Sequence, residues 1–388
     1  MSTTDPRVFP RGLYVHLPFC PAICTYCDFA VERYSSKRSE IYLNALEKEF
    51  ATRTREIVSN ERFAPQTIFL GGGTPSAFNL SEMTRFFEIL ERCVDTGVVA
   101  EYTIEANPGT VDGAKLELLL AHGVDRISFG VQSFQPHLLQ LLGRVHGADQ
   151  GPEAVRLARA AGFENVSIDL MHGLPNQSRD DLRRDLDEAI RIGAEHISAY
   201  GLIYEDGTPI RTAVERGVLS SLSGEDEAAH YLQVVDALEA AGYRHYETSN
   251  YAKEGFESIH NLIYWRNEAY LGVGVSAASF IDFERSVNDE TMEGYMRFAL
   301  TTGLAIASRE KLSPQARARE ALILELRLRR GVDQKEFKKR WGFDPLQENA
   351  AVLDGFIREG LMEKLPDGRI RISRKGLAVA DGIMSDFV

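Results

Sequence analysis

Cysteine is scarce in this chain, with four among 388 residues. That count excludes a disulfide-stapled secreted scaffold. No stretch approaches the roughly 20 apolar residues that a helix needs to cross a bilayer, and the first residues, MSTTDPRVFPRG, lack the apolar run of a secretory signal. A cytoplasmic, reducing setting without a membrane-spanning segment is the expectation. Positive charge is also in short supply: 44 Lys+Arg against 57 Asp+Glu leave a net charge of -13, which argues against a general binder of nucleic-acid backbones. Internal repeats and low-complexity tracts are missing too. What remains is an ordinary globular composition, 44% hydrophobic and 26% charged with mean hydropathy -0.22. Its length suits roughly two to three domains, or one large α/β unit with an appendage.

Six short β-rich runs begin at Leu13, Thr67, Tyr102, Arg126, Asn165 and His196, each followed by helical apolar spacing. This is the pattern of a parallel sheet built from βα units. Ile41, Leu43, Leu46 and Phe50 make one helix face and Leu182, Leu186 and Ile190 another, with Ser178 and Ser81 read as caps. The cysteine cluster, GGGTP at 71–75, EANP at 105–108, GVQS at 130–133 and DLMHG at 169–173 all fall at or just past the carboxyl end of a strand. In a barrel those ends share one mouth. The expected fold class is α/β: a partial, open, six-unit TIM-like βα barrel with a small C-terminal winged-helix-like domain. The barrel is assigned to 1–241, an extension to 242–307 and the small domain to 308–388. Helices are expected there over 312–328, 334–340 and 346–359, followed by a hairpin turning at Asp367-Gly368.

Cys20, Cys24 and Cys27 are too crowded for independent disulfides, while their thiolates can converge on one centre. A structural zinc site wants four protein ligands, usually as two separated pairs, and no second Cys-x2-Cys or His-x3-His follows. An iron-sulfur cube on three thiolates leaves one iron open to a small molecule. Three buried thiols without metal are the bland alternative. Cys93, at helical spacing with Phe86, Phe87 and Leu90, reads as core, and His122, His137 and His230 as surface or internally satisfied residues.

The loop YVHLPFCPAICTYC, from Tyr14 to Cys27, resembles the signature of the radical S-adenosylmethionine superfamily. Within it, the chain is similar to the branch that holds oxygen-independent coproporphyrinogen III oxidases and related heme chaperones. The GGGTPS, EANPGT, FGVQSF, GRVH and IDLMHGLP blocks follow in the same order, so the resemblance covers nearly the whole chain. It implies a 4Fe-4S cluster on Cys20, Cys24 and Cys27, with the open iron chelated by S-adenosyl-L-methionine. It also implies an electron donor for the cluster and cleavage of the cofactor to methionine and a deoxyadenosyl radical. Carried across by position, Tyr14, Tyr26, Gly72, Gly73, Thr74, Glu105, Gln132, Arg144 and Asp169 match residues that line cofactor sites. Without the resemblance, the glycine run reads equally as a tight turn, and Arg144 or Asp169 as part of a structural ion pair.

Local departures decide between the branch members. The oxidase carries a fourth cysteine two residues after the third, where this chain has Phe29, and it has a longer extension before its first strand. HNLIYW, His260 to Trp265, fits the chaperones' His-Asn-x2-Tyr-Trp motif, which implies heme at His260, Asn261, Tyr264 and Trp265. An imidazole suits an axial position on the iron and aromatic rings suit a porphyrin face. Taken alone, a histidine beside aromatics is more often a hydrogen-bonded core or surface residue. One departure runs the other way: Ala278 stands where the chaperones usually have the histidine of Ala-His-Ser-Phe. The implied function is a heme chaperone that transfers heme to acceptor hemoproteins, respiratory ones among them. The alternative is an oxygen-independent coproporphyrinogen III oxidase. Between 308 and 345, eleven Lys/Arg outweigh six Asp/Glu. They are read as a solvated face rather than a nucleic-acid surface, with tetrapyrrole propionates or a docking protein as other takers.

Overall fold

The computed structural model describes residues 8–59 and 61–387; residues 1–7 of the opening MSTTDPRVFPRG segment lie outside them. Six parallel strands stand side by side in chain order: β1 (Gly12–Leu17), β2 (Thr67–Gly72), β3 (Glu101–Ala106), β4 (Arg126–Gln132), β5 (Asn165–His172) and β6 (His196–Gly201). After each comes a principal helix: α1 (Ser36–Ile57), α2 (Leu80–Cys93), α3 (Gly113–Ala121), α4 (Gln150–Ala161), α5 (Arg179–Ile192) and α6 (Gly224–Ala240). The following segment feeds both edges of this sheet. β7 (Arg244–Glu247) and β8 (Asn250–Ala252) extend it antiparallel beyond β6. After α7 (Ile259–Trp265), β9 (Tyr270–Val273) pairs parallel with β1 at the opposite edge. β10 (Ala278–Ile281), β11 (Glu284–Asn288) and, after α8 (Met292–Thr302), β12 (Ile306–Lys311) continue outward antiparallel. The expected six-unit open barrel is thus the middle of a 12-stranded sheet.

The strands alternate strictly. Leu13 and Val15, Ile68 and Leu70, Tyr102 and Ile104, Ile127 and Phe129, Val166 and Ile168, Ile197 and Ala199 all join the apolar core. Residues of the other parity are polar, small or aromatic: Tyr14 and His16, Thr67 and Phe69, Thr103 and Glu105, Arg126 and Ser128, Ser167 and Asp169, His196 and Ser198. Because side chains of a strand point to opposite faces in turn, one face lies against the helices and the other builds a polar concave interior. A sheet buried on both faces would read as near-continuous apolar runs instead.

Ser178 caps α5 as expected, accepting from Asp181 N–H in a capping box. The cap of α2 is Asn79, not Ser81. Asn79 sits three residues before Glu82 and so completes the reciprocal box, while the Ser81 hydroxyl donates to Asn79 Oδ1 at 2.7 Å. Cys93 is half-buried against the main core. A second apolar cluster runs from Ala318 to Phe387, formed by α9 (Pro314–Leu326), α10 (Gln334–Trp341), α11 (Ala350–Arg358) and the hairpin of β13 (Met362–Lys364) and β14 (Ile370–Ile372). The single helix expected over 346–359 is broken at Asn349, whose φ of -101° and ψ of 38° separate Pro345–Glu348 from α11. No helix among the described residues is long and apolar enough to cross a membrane.

Candidate functional site

The cysteine loop leaves the carboxyl end of β1 and is pinned at both ends. Gly73 N–H donates to Leu17 O and Thr74 N–H to Phe19 O, each at 2.9 Å, so the glycine strip after β2 lies along the loop. A Cβ on Gly73 would stand 2.7 Å from the Pro18 carbonyl carbon, and Gly72 has φ of +104°. Glycine is required here for close approach, beyond the needs of a turn. Farther along, Thr25 N–H donates to Leu142 O at 3.0 Å and its hydroxyl to Leu141 O at 2.9 Å, fastening the loop to the segment after β4.

These ties bring Cys20, Cys24 and Cys27 onto the wall of one cavity of about 370 Å³. Tyr26, Gly72, Gly73, Thr74, Glu105, Gln132, Arg144 and Asp169 line it with them. Gln132 reaches it from a β-bulge where β4 and β5 slip register, in a left-handed conformation with φ of 68°. Tyr14 does not line this cavity; its hydroxyl pairs with His16 Nδ1 at 3.0 Å and its ring stacks on Phe69.

Among the described residues, no three His, Cys, Asp or Glu side chains are set to hold one metal ion. Three thiols facing one cavity suit a polynuclear centre with an open position. The Thr74 hydroxyl donates to Cys20 Sγ at 3.6 Å and Arg144 Nη1 to Cys24 Sγ at 3.3 Å. The Thr74 bond favours the Cys20 thiolate. Burial pushes the Cys20 thiol up to about 11 against the Thr74 bond, and the positive charge of a bound metal centre would favour its ionised form.

Across the cavity, burial raises the Glu105 carboxyl to about 8, with the charge of Asp169 adding and the Gly72 N–H at 3.1 Å opposing. Burial raises Asp169 as well, against hydrogen bonds from Ser198 and Ser128. A cationic group bound between these two carboxyls would favour their ionised forms. Phe69, Arg126, Ser128, Ser198 and Tyr200 also line the cavity and were missed in the sequence. Their signal was present: each is inward-facing by the period of two, and Arg126 is buried with an unpartnered Nε.

Helix α7 is the floor of this interior. Glu101, at the start of β3, accepts from the Ser258 hydroxyl at 3.2 Å, Ile259 N–H at 2.7 Å and His260 N–H at 3.0 Å. Asn261 reaches the cavity wall. His260 does not: its ring is 1% exposed and stacks on Phe69, with Nδ1 at 2.7 Å from the Thr67 hydroxyl and Nε2 at 2.8 Å from the Tyr264 hydroxyl. Burial, reinforced by the charge of Arg126, pushes the imidazole down to about 3, so it is neutral. Tyr264 packs edge-on to Tyr270, and the Arg327 guanidinium lies 4.8 Å over the Trp265 ring. Of the other histidines, His122 pairs with Glu91 at 2.6 Å, His137 lies 3.7 Å from Asp181, and His230 is buried with an unpartnered Nδ1.

The Radical SAM superfamily matches residues 14–189 and the HemN C-terminal domain matches residues 312–379. Fold and site thus define a radical SAM architecture with a HemN-type tail. Heme chaperone HemW of Bacillus subtilis (strain 168) is 34% identical over 379 residues, 97% of this chain and 99% of that one. Heme chaperone HemW of Escherichia coli (strain K12) is 33% identical over 367 residues, 90% of this chain and 92% of that one. The chain belongs to the HemW family. The solved structure of coproporphyrinogen III oxidase (HemN) from Escherichia coli matches with a TM-score of 0.84, covering 98% of this chain and 90% of that one at 22% identity, a likeness of fold.

Proposed function

We propose that this protein is a heme chaperone that holds a 4Fe-4S cluster and S-adenosyl-L-methionine in the cleft, binds heme at α7, and hands heme to acceptor hemoproteins. The observation that carries the reading is the gathering of three thiols and two buried carboxyl groups on the walls of one cleft whose floor is the HNLIYW helix. The relatives named heme chaperone support it.

The residues present fit the cluster and its ligand. Cys20, Cys24 and Cys27 would hold the cluster, which when bound supplies one-electron chemistry and an open iron for chelation. Arg144 and Thr74 orient Cys24 and Cys20 by hydrogen bonds to sulfur. Glu105 and Asp169 offer carboxyl groups that the cationic groups of S-adenosyl-L-methionine would draw into the ionised form, and Gly73 keeps the strand-end backbone close beneath it. Tyr26 packs with Leu138, Leu142 and Met171 beside the cysteines and keeps water from that side.

For heme, the donor chemistry fits with one rearrangement. His260 provides a neutral imidazole and Tyr264 and Trp265 provide aromatic area, but the Tyr264 hydroxyl must give up Nε2 before that nitrogen is available. Phe29, 62% exposed at the cavity mouth, offers apolar surface where the oxidases of the branch carry a further thiol.

The test is anaerobic reconstitution followed by iron and sulfide analysis, then transfer of heme from the loaded chain to an apo-hemoprotein, followed by absorbance. His260→Ala should lose heme affinity and transfer with the iron content unchanged. Unchanged affinity and transfer in that variant would remove the heme site from α7.

A further inference from the structure

Three consecutive side chains at the C-terminal end of α7 carry buried N–H groups without an acceptor: Trp265 Nε1, Arg266 Nε and Asn267 Nδ2. Nowhere else among the described residues do three in a row share this condition. Asn267 is 4% exposed and ends the helix in a left-handed conformation, with its N–H bonded to Tyr264 O at 2.9 Å. Buried donors are normally paired, and an unpaired one keeps its full desolvation penalty. Adjacent donors on one helix end call for an acceptor that the chain itself does not supply.

The charge around them is mostly positive, with the Glu268 carboxylate acting the other way on Arg266. Arg266 is half-buried, and Arg330, Arg11 and Arg340 lie close enough for each to oppose its charge. Arg340 also donates to the Arg266 carbonyl at 2.5 Å, joining the C-terminal domain to the helix end. The nearby carboxylates are engaged: Glu268 with Arg11 at 2.9 Å and Glu325 with Arg340 at 3.1 Å. Arg266 and Arg330 make no ion pair with any described residue.

We infer that this junction of α7 with the C-terminal domain is a carboxylate site that takes the propionate side chains of a tetrapyrrole, an inference that rests on the heme reading. Guanidinium forks match carboxylates in two parallel bonds, and indole and amide N–H groups complete such a cradle. Arg266 caps the helix that carries His260, six residues farther along the chain. The C-terminal domain thereby becomes part of the heme site, because Arg330 and Arg340 belong to it.

The experiment titrates the intact chain with hemin and with hemin dimethyl ester, in the wild type and in the Arg266→Gln and Arg330→Gln variants. The wild type should bind hemin about tenfold or more tightly than the ester, and each variant should lose about that factor for hemin with little change for the ester. Arg330 is exposed, so its variant remains informative if Arg266→Gln fails to fold. Equal binding of hemin and ester by the wild type, or equal weakening of both by the variants, overturns the carboxylate site and leaves the heme reading standing. Failure of the wild type to bind either compound overturns both.

Discussion

The Nε2 atom of His260 and the hydroxyl of Tyr264 lie 2.8 Å apart, one helical turn along α7. With Thr67 on Nδ1, this bond closes the imidazole inside the protein. Tyr264→Phe should therefore free Nε2, raising hemin affinity several-fold while costing about 1 kcal/mol of stability for the lost bond. A hemin titration beside a thermal melt checks both effects; an unchanged affinity means that Tyr264 does not guard the nitrogen.

Glu105 governs the pH response of the cleft. Its carboxyl ionises near pH 8 and a cationic ligand favours the ionised form, so S-adenosyl-L-methionine should bind more weakly as pH falls below 8. Stability runs the opposite way. The folded carboxyl titrates above its ordinary value of 4.5, so the folded state holds the extra proton between pH 4.5 and 8, and stability falls as pH rises through that window. Glu105→Gln should flatten both profiles, measured by calorimetric titration and by denaturant unfolding across pH.

The Cys20 thiol should be sluggish in the metal-free protein. Cys20, held up to about 11 by burial, should react with iodoacetamide slowly at pH 7 and about tenfold faster per pH unit above it. Reconstitution should abolish that reaction, and serine at any one of Cys20, Cys24 or Cys27 should strip most of the iron. A variant that retains its iron removes that cysteine from the ligand set.

Glu101 holds the floor in place through three hydrogen bonds to Ser258, Ile259 and His260. Glu101→Ala should cost about 2–4 kcal/mol, since charge-assisted bonds are lost and buried N–H groups are left bare. Urea unfolding checks the value, and a loss below about 0.5 kcal/mol, the range of an ordinary surface substitution, contradicts a holding role.

Much of this was legible in the residues because it is local. The six strands, their helices and the cysteine loop are each written within a few positions of one another, and the blocks at strand ends converge because parallel strands share one mouth. What was not legible depends on distant partners. The enclosure of His260 comes from Thr67, Phe69 and Glu101, all more than 150 positions away, so HNLIYW reads as an open motif until the sheet is assembled. The cap of α2 is ambiguous in sequence because Ser81 and Asn79 both suit the position and only the reciprocal bond to Glu82 separates them. Arg126 and Ser198 stand inside strands whose apolar residues dominate the pattern, and only their alternation marks a polar interior.

The most direct test of the central claim is one anaerobic preparation of the cluster-loaded chain, divided between a hemin titration and an assay of coproporphyrinogen III turnover in the presence of S-adenosyl-L-methionine and a reductant. Stoichiometric hemin binding without formation of protoporphyrinogen IX is the predicted result. Turnover of coproporphyrinogen III, with hemin unbound, would contradict the account.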